Sequence, residues 1–317
     1  MLVNLLLLAV GLAGLTLAAD RFVLGAAQVA ARLRVSTVVT GALIIGFGTS
    51  APELVVSTLA TLTEGAEGTA LAVGNIVGSN IANLTLVLAL PVLVFGRIVL
   101  EEGVKRQAAL SAGGVTVFFL IVWLADPSAW WGLLLLVLTG VALRLVLWLG
   151  DRFGGVPPPD TSEGAAPWFW SVIGLVGTVG SAWLVVWSAT RIAEDLEWTG
   201  GFVGFALVAL GTSLPELVTV LAAARRNESG LIVGNLLGSN LFNSLLVGAA
   251  VFLANGSRTL DEEAGVGLWV VVVLVAVSWL VITFMRRGRQ ISRGESGILL
   301  SCYVTVLVLM AATGATA

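Results

Sequence analysis

The chain has 317 residues, 58% of them hydrophobic and 11% charged, with a net charge of −3 and a mean hydropathy of +1.03. Soluble domains carry about 25% charged residues, so this composition belongs in a lipid bilayer, and so small a net charge argues against a nucleic-acid partner. There is no histidine and only one cysteine, Cys302, which excludes imidazole zinc sites, histidine triads, haem ligation through histidine and an internal disulfide.

A span needs about 20 mostly apolar residues, and ten such stretches follow one another. Residues 2–31 form the first; no basic segment precedes their apolar start, so they read as a helix and not as a removable signal. Arg21 falls inside this span without an assigned role. Residues 36–62 carry GFGTSAPELVVS (46–57), and 69–95 carry VGNIVGSNIANL (73–84). Spans at 105–125 and 129–149 complete a first half. The longest break, GDRFGGVPPPDTSEGAAP at 150–167, is rich in Pro and Gly and reads as a linker. The second half runs through 168–194, then 199–223 with VALGTSLPELVTV (208–220), then 229–254 with VGNLLGSNLFNS (233–244). Spans at 265–285 and 296–314 end it, the last holding Cys302 as a small apolar filler.

Lys and Arg gather on the cytoplasmic side of membrane proteins. With the N-terminus outside, the inner ends hold Arg32 and Arg34, Lys105 and Arg106, Arg225 and Arg226, and Arg286, Arg287, Arg289 and Arg293. The outer ends keep only Arg191 and Arg258. Both termini are therefore expected outside the cell membrane, with the linker in the cytoplasm.

The halves repeat each other. GTSAPEL (48–54) matches GTSLPEL (211–217), and the two Gly-Asn motifs match likewise. Five spans is an odd number, so the second half enters the bilayer upside down. The expected fold is an all-α membrane protein of ten transmembrane helices, built as inverted repeats over 1–149 and 168–317. Helices 2, 3, 7 and 8 are expected to be broken at the motifs.

Glu53 and Glu216 sit in mid-span, where a charge costs about 2.5–3.5 kcal/mol on insertion scales. Apart from Arg21 and Arg144, near the ends of their spans, the helix interiors offer no cation to neutralise them. Pro52 and Pro215 precede the two acids, and a proline in a helix interior frees backbone carbonyls of the preceding turn, here those of 45–48 and 208–211. Together with the hydroxyls of Thr49, Ser50, Thr212 and Ser213 this makes an all-oxygen donor set, suited to Ca2+, Na+ or Mg2+ and not to Zn2+ or Cu+. Ser79 and Asn83 are four residues apart and share a helix face, as do Ser239 and Asn243; these are expected to line the site. Asn75, Asn80, Asn235 and Asn240, with the neighbouring glycines, are expected mainly to pack helices together. Two carboxylates are neutralised by one Ca2+ or by two Na+ or protons, and a site that takes one set or the other is in principle an exchanger.

These paired motifs resemble the α-repeats of the cation/Ca2+ exchanger superfamily, in particular the compact prokaryotic form of its Na+/Ca2+ exchanger branch. The resemblance spans essentially the whole chain. It implies a secondary antiporter, not an enzyme, that needs no cofactor and no protein partner and works in the lipid bilayer on Ca2+ and Na+. It implies that Glu53 and Glu216 hold Ca2+ with the backbone carbonyls of Thr49 and Thr212. It also implies that Na+ is held by Ser79, Ser239 and the carbonyls of Gly46 and Ala209, with Asn83 and Asn243 at the centre. Asn243 stands where K+-dependent relatives have aspartate, and the G-N-x-x-E pattern of proton-coupled relatives is absent in place of GTS-x-PE, which favours Na+ coupling. The alternatives are H+/Ca2+ or other divalent-cation antiport on the same fold, and a cation channel. A serine hydrolase at Ser50 or Ser213 lacks a base, since the chain has no histidine and its one lysine, Lys105, lies in a loop.

Overall fold

The computed structural model describes residues 1–96, 98–100, 104–153, 166–195, 212–256, 268–288 and 290–313. Its helices are α1 (Leu2–Leu33), α2 (Thr37–Thr49), α3 (Ala51–Glu64), α4 (Ala66–Phe95), α5 (Val104–Leu124) and α6 (Ala129–Phe153), then α7 (Ala166–Asp195), α8 (Leu214–Arg225), α9 (Ser229–Asn255), α10 (Leu268–Arg287) and α11 (Arg293–Thr313). Among the described residues eight of these are long and apolar enough to cross a membrane, and α2 with α3 makes a ninth, bent by 40°. Of the span expected over 199–223 only its second part, α8, lies within the described residues. The linker expected over 150–167 likewise lies mostly outside them.

The helix boundaries have local causes. Arg34 closes α1 in the left-handed region, φ 54°, and Val35 N–H reaches back to Ala30 O at 3.1 Å, the usual way of satisfying the last carbonyls of a helix. Ser36 then caps α2, its Oγ accepting from Val39 N–H. The bend between α2 and α3 falls at Ser50, with φ −83° and ψ 0°; Ser213 has φ −87° and ψ 0° before α8. Pro52 and Pro215 therefore stand in the first turn of a new helix, where the missing N–H leaves no bond unmade. This corrects the expectation that they interrupt helix interiors. Helices α4 and α9 also differ from expectation. Each runs on past its Gly-Asn motif, and the irregularity is a π turn, at Asn83–Val87 in one and Asn243–Val247 in the other. A third π segment, Gly41–Gly46, lies in α2.

One small sheet departs from the all-α expectation. β1 (Ile98–Val99) pairs antiparallel with β2 (Gln290–Ile291), tying the chain after α4 to the chain between α10 and α11.

Helices α4 and α9 form the heart of the molecule: 78% and 83% of their apolar windows are buried, against 17% for α1 and 28% for α7. Two apolar clusters divide them. Val73, Ile76 and Val77 of α4 pack in the same cluster as Leu245, Val251 and Phe252 of α9, while Leu84 and Leu88 of α4 join Leu231, Ile232 and Leu236 of α9 in the other. The start of one helix thus lies with the end of the other, so α4 and α9 cross antiparallel. Their polar residues fall at the crossing, between the two cores.

Candidate cation-binding site

The crossing is stitched by side-chain bonds from one half of the chain to the other. Asn80 Nδ2 donates to Ser244 Oγ at 2.9 Å, and Asn240 Nδ2 donates to the Asn80 carbonyl at 3.1 Å. These two asparagines are glue, as expected. Close backbone contact brings α2 in as well: a Cβ on Gly238 would stand 2.6 Å from Ala42 Cα, and one on Gly46 would stand 2.9 Å from the Asn235 carbonyl. Only glycine at these places lets α2 lie on α9, and that contact puts Gly46 O 3.1 Å from Ser239 Oγ.

Glu53 and Glu216, each in the first turn of its helix, are fully buried here. Glu53 Oε1 accepts from Ser79 Oγ at 3.2 Å, and Ser79 Oγ lies 3.2 Å from Ser213 Oγ. Asn243 Nδ2 donates to Ser79 Oγ at 3.4 Å. Glu216 Oε1 accepts from Ser239 Oγ at 3.4 Å and from Ser50 Oγ at 3.5 Å. Glu216 is thus approached by serines from both halves of the chain, whereas Glu53 meets the second half through Ser79, whose hydroxyl touches Ser213 and Asn243. The second oxygens, Glu53 Oε2 and Glu216 Oε2, have no hydrogen-bond partner among the described residues; the same holds for Asn243 Oδ1 and for both amide atoms of Asn83. No lysine or arginine among the described residues pairs with either glutamate.

The threonine hydroxyls lie at the edge of the site, Thr49 Oγ1 being 3.5 Å from Ser239 Oγ. Thr49 Oγ1 bonds back to Ile45 O at 3.0 Å and lies 3.3 Å from Asn235 Oδ1, while Thr212 Oγ1 donates to Asn75 Oδ1 at 3.4 Å. The amides behind them are anchored in turn, Asn235 Nδ2 on Thr219 Oγ1 and Asn75 Nδ2 on Ser57 Oγ, both at 3.1 Å. The threonine of each half therefore leans on the asparagine of the other. Sequence reasoning assigned Asn75 and Asn235 to packing and missed this contact. The signal was present, since each lies four residues before a serine expected in the site, on the same helix face.

Of the expected residues, the structure brings together Glu53, Glu216, Thr49, Ser50, Ser79, Ser213, Ser239, Asn243 and Gly46, while Thr212 bonds Asn75. Asn83 is wholly buried at the start of its π turn. Ala209 lies outside the described residues. The carbonyls of Ile45 and Gly46, expected to be free, accept from Thr49 Oγ1 and from Ser50 N–H and Ser239 Oγ respectively. A cleft of about 290 Å³ between α5, α6 and α9 is lined by residues such as Gly113, Val141 and Leu245 and contains none of these oxygens.

Chemically the site is a ring of carboxylate, hydroxyl, amide and carbonyl oxygens contributed by α2, α3, α4, α8 and α9 in the buried interior. Such orphaned acceptors in apolar surroundings are costly unless a cation satisfies them. The donor set fits hard ions that take many oxygens.

The chain is similar to known proteins along nearly its whole length. The sequence matches the family described as sodium/calcium exchanger protein over residues 3–148 and 166–312. CaxA of Alkalimonas amylolytica is 35% identical over 96% of this chain and 97% of its own. The sodium/calcium exchanger MaX1 of Methanosarcina acetivorans is 27% identical over 97% of this chain and 98% of its own. The solved structure of the sodium-calcium exchanger NCX_Mj, soaked with zero Na+ and Ca2+, superposes with a TM-score of 0.84 at 30% identity, covering 97% of this chain and 99% of that one.

Proposed function

The chain belongs to the sodium/calcium exchanger family, and we propose that it is a secondary active antiporter that moves Ca2+ across the cell membrane against Na+ by alternating access. The observation that carries this reading is the pair of wholly buried glutamates, each with one oxygen left without a partner and with no protein cation beside it among the described residues. Two carboxylates give a charge of −2 when ionised. One Ca2+ cancels it, and so do two Na+, so either set of ions makes the other redundant. Exclusive occupancy of one site, opened to one side at a time, couples the two flows.

In this reading Glu53 and Glu216 bind Ca2+ together with the backbone carbonyls of Thr49 and Thr212. Ser79, Ser239 and the carbonyls of Gly46 and Ala209 take Na+ around the same carboxylates. Asn83 and Asn243 fill the centre with neutral amide oxygens, and Ser50 and Ser213 line the wall. The antiparallel crossing of α4 and α9 supports an inverted arrangement of 1–149 and 168–317, and the Lys and Arg asymmetry of the span ends supports both termini outside and the linker at 150–167 inside.

Reconstitution tests the coupling. Vesicles loaded with Na+ and diluted into Na+-free medium containing Ca2+ are expected to accumulate Ca2+, whereas K+-loaded vesicles are not. Uptake driven by a pH gradient in place of Na+ would assign the chain to H+/Ca2+ antiport, and currents far above transporter turnover would make it a channel.

A further inference from the structure

The charges Asp20 and Arg21 stand side by side in the middle of α1, a mostly apolar helix, and the ion site uses neither. Each reaches a different neighbour. Arg21 lays its guanidinium over the Trp170 ring of α7, 5.0 Å from the centroid. Asp20 takes a two-pronged bond from Arg226, with Nε to Oδ1 at 3.0 Å and Nη2 to Oδ2 at 2.6 Å. Arg226 is fixed by the turn that ends α8: its own N–H bonds to Ala223 O at 3.1 Å, and Asn227 follows at φ 58°. Its cationic head also suits the negative end of that helix. Glu216 lies in the first turn of α8, so the pair lies about 15 Å from the site carboxylate along one rigid rod.

The rest of the seam is apolar. Leu15 and Leu8 of α1 gather with Leu214 and Val218 of α8 and with Ala182 and Val185 of α7. Apolar surfaces slide past one another at little cost, but a forked ion pair has one register. Helices α1 and α7, by contrast, are locked together. A Cβ on Gly25 would stand 2.5 Å from Ser171 N, one on Gly174 would stand 2.6 Å from Phe22 Cα, and Asn4 Nδ2 bonds Asp195 Oδ2 at 3.1 Å. The two helices form one unit with most of its surface outside the core.

We infer that Asp20 and Arg226 are positioning residues for exchange: their ion pair docks the α1–α7 unit onto the end of the Glu216 helix, and it parts when the site changes the side to which it opens. This inference rests on the alternating-access reading above. A shift of α1 by one helical turn, about 5.4 Å, would pull the fork apart. The pair sits at the open edge of the seam, Asp20 and Arg226 being 41% and 32% exposed; once parted, each charge needs water in place of its partner, and the side on which Arg226 lies in the proposed topology is the cytoplasm. The closed pair therefore belongs to the state sealed towards the cytoplasm, and removing it raises access from that side.

The test uses the full chain in liposomes with Cys302→Ala as background. Asp20→Cys with Arg226→Cys, bridged by a bifunctional methanethiosulfonate reagent, is expected to lose at least ~10-fold in gradient-driven Ca2+ uptake and to recover it on reduction, whereas the unbridged protein transports. Equal uptake with and without the bridge overturns the inference. Should the cysteine pair be inactive before bridging, modification of Val218→Cys by a membrane-impermeant thiol reagent decides. Asp20→Asn is expected to speed that reaction several-fold from the cytoplasmic side only, and an unchanged rate, or equal gains from both sides, counts against the pair. The parent protein is assayed in the same vesicles with Na+ and with pH gradients, so a failure of Na+ coupling registers there and leaves the bridging result readable with whichever gradient drives uptake.

Discussion

At the scale of single residues, what decides is charge buried among apolar helices. Glu53 and Glu216 were legible in the sequence because a mid-span carboxylate with no matching cation is expensive, and the second copy removed coincidence. The role of the flanking amides was not legible, because Asn75 and Asn235 look the same in a sequence whether they bond a threonine or a helix backbone. Glu53→Gln and Glu216→Gln each keep the side-chain volume and remove one of two charges. Either is expected to weaken Ca2+ exchange by at least ~100-fold, about 2.7 kcal/mol, with folding retained. Isotope uptake at a series of Ca2+ concentrations measures it; near-normal exchange in either variant would remove the glutamates from the site. Asn235→Ala takes away the acceptor 3.3 Å from both Thr49 Oγ1 and Ser239 Oγ. One to two hydrogen bonds at about 1 kcal/mol each predict a loss of roughly 5- to 30-fold in exchange. If Asn235 only packed helices, the loss would appear instead in thermal stability, with the apparent affinity for Ca2+ unchanged.

At the scale of helices, hydropathy placed nearly every span within a few residues, because 20-residue apolar runs separated by charged turns leave little choice. What it could not place was the manner of each irregularity. A π turn is one extra residue in a helical ladder, and it is selected by contacts from other helices; nothing in the composition of NLTLV or NSLLV announces it. The prolines misled for a related reason: the rule for a helix interior was applied to residues that begin a helix, and the start was invisible because Ser50 and Ser213 form no side-chain cap bond. This difference is measurable. Pro52→Ala, in the first turn of α3, is expected to cost under ~1 kcal/mol of stability. The contact of α2 with α9 is less forgiving. Gly238→Ala would force a methyl against the backbone of Ala42, where neither side can give way, and a loss of about 1–3 kcal/mol is expected. Thermal unfolding in detergent ranks the two; a Pro52→Ala protein less stable than Gly238→Ala would put the helix break back at the proline.

For the whole molecule the question is whether two similar halves point opposite ways. The clusters that pair the start of α4 with the end of α9, and the reverse, require those helices to cross antiparallel, and the same exchange joins Thr49 to Asn235 and Thr212 to Asn75. Such reciprocity follows if one half is the other rotated about an axis in the membrane plane. It has a consequence at the surface. Helices α3 and α8 both begin at a Pro-Glu of the site and run away from it, so under the inversion their far ends emerge on opposite sides. In the proposed topology Glu64, at the end of α3, lies outside, and Asn227, in the turn after α8, lies in the cytoplasm with the neighbouring Arg225 and Arg226. Single cysteines at Glu64→Cys and Asn227→Cys, in a Cys302→Ala background, test this in intact cells with a membrane-impermeant thiol reagent. The first is expected to react from outside and the second only after the membrane is opened. Labelling of both from one side would leave the halves parallel, and a site built from two equivalent Pro-Glu turns facing each other across the bilayer midplane would then have no geometric basis.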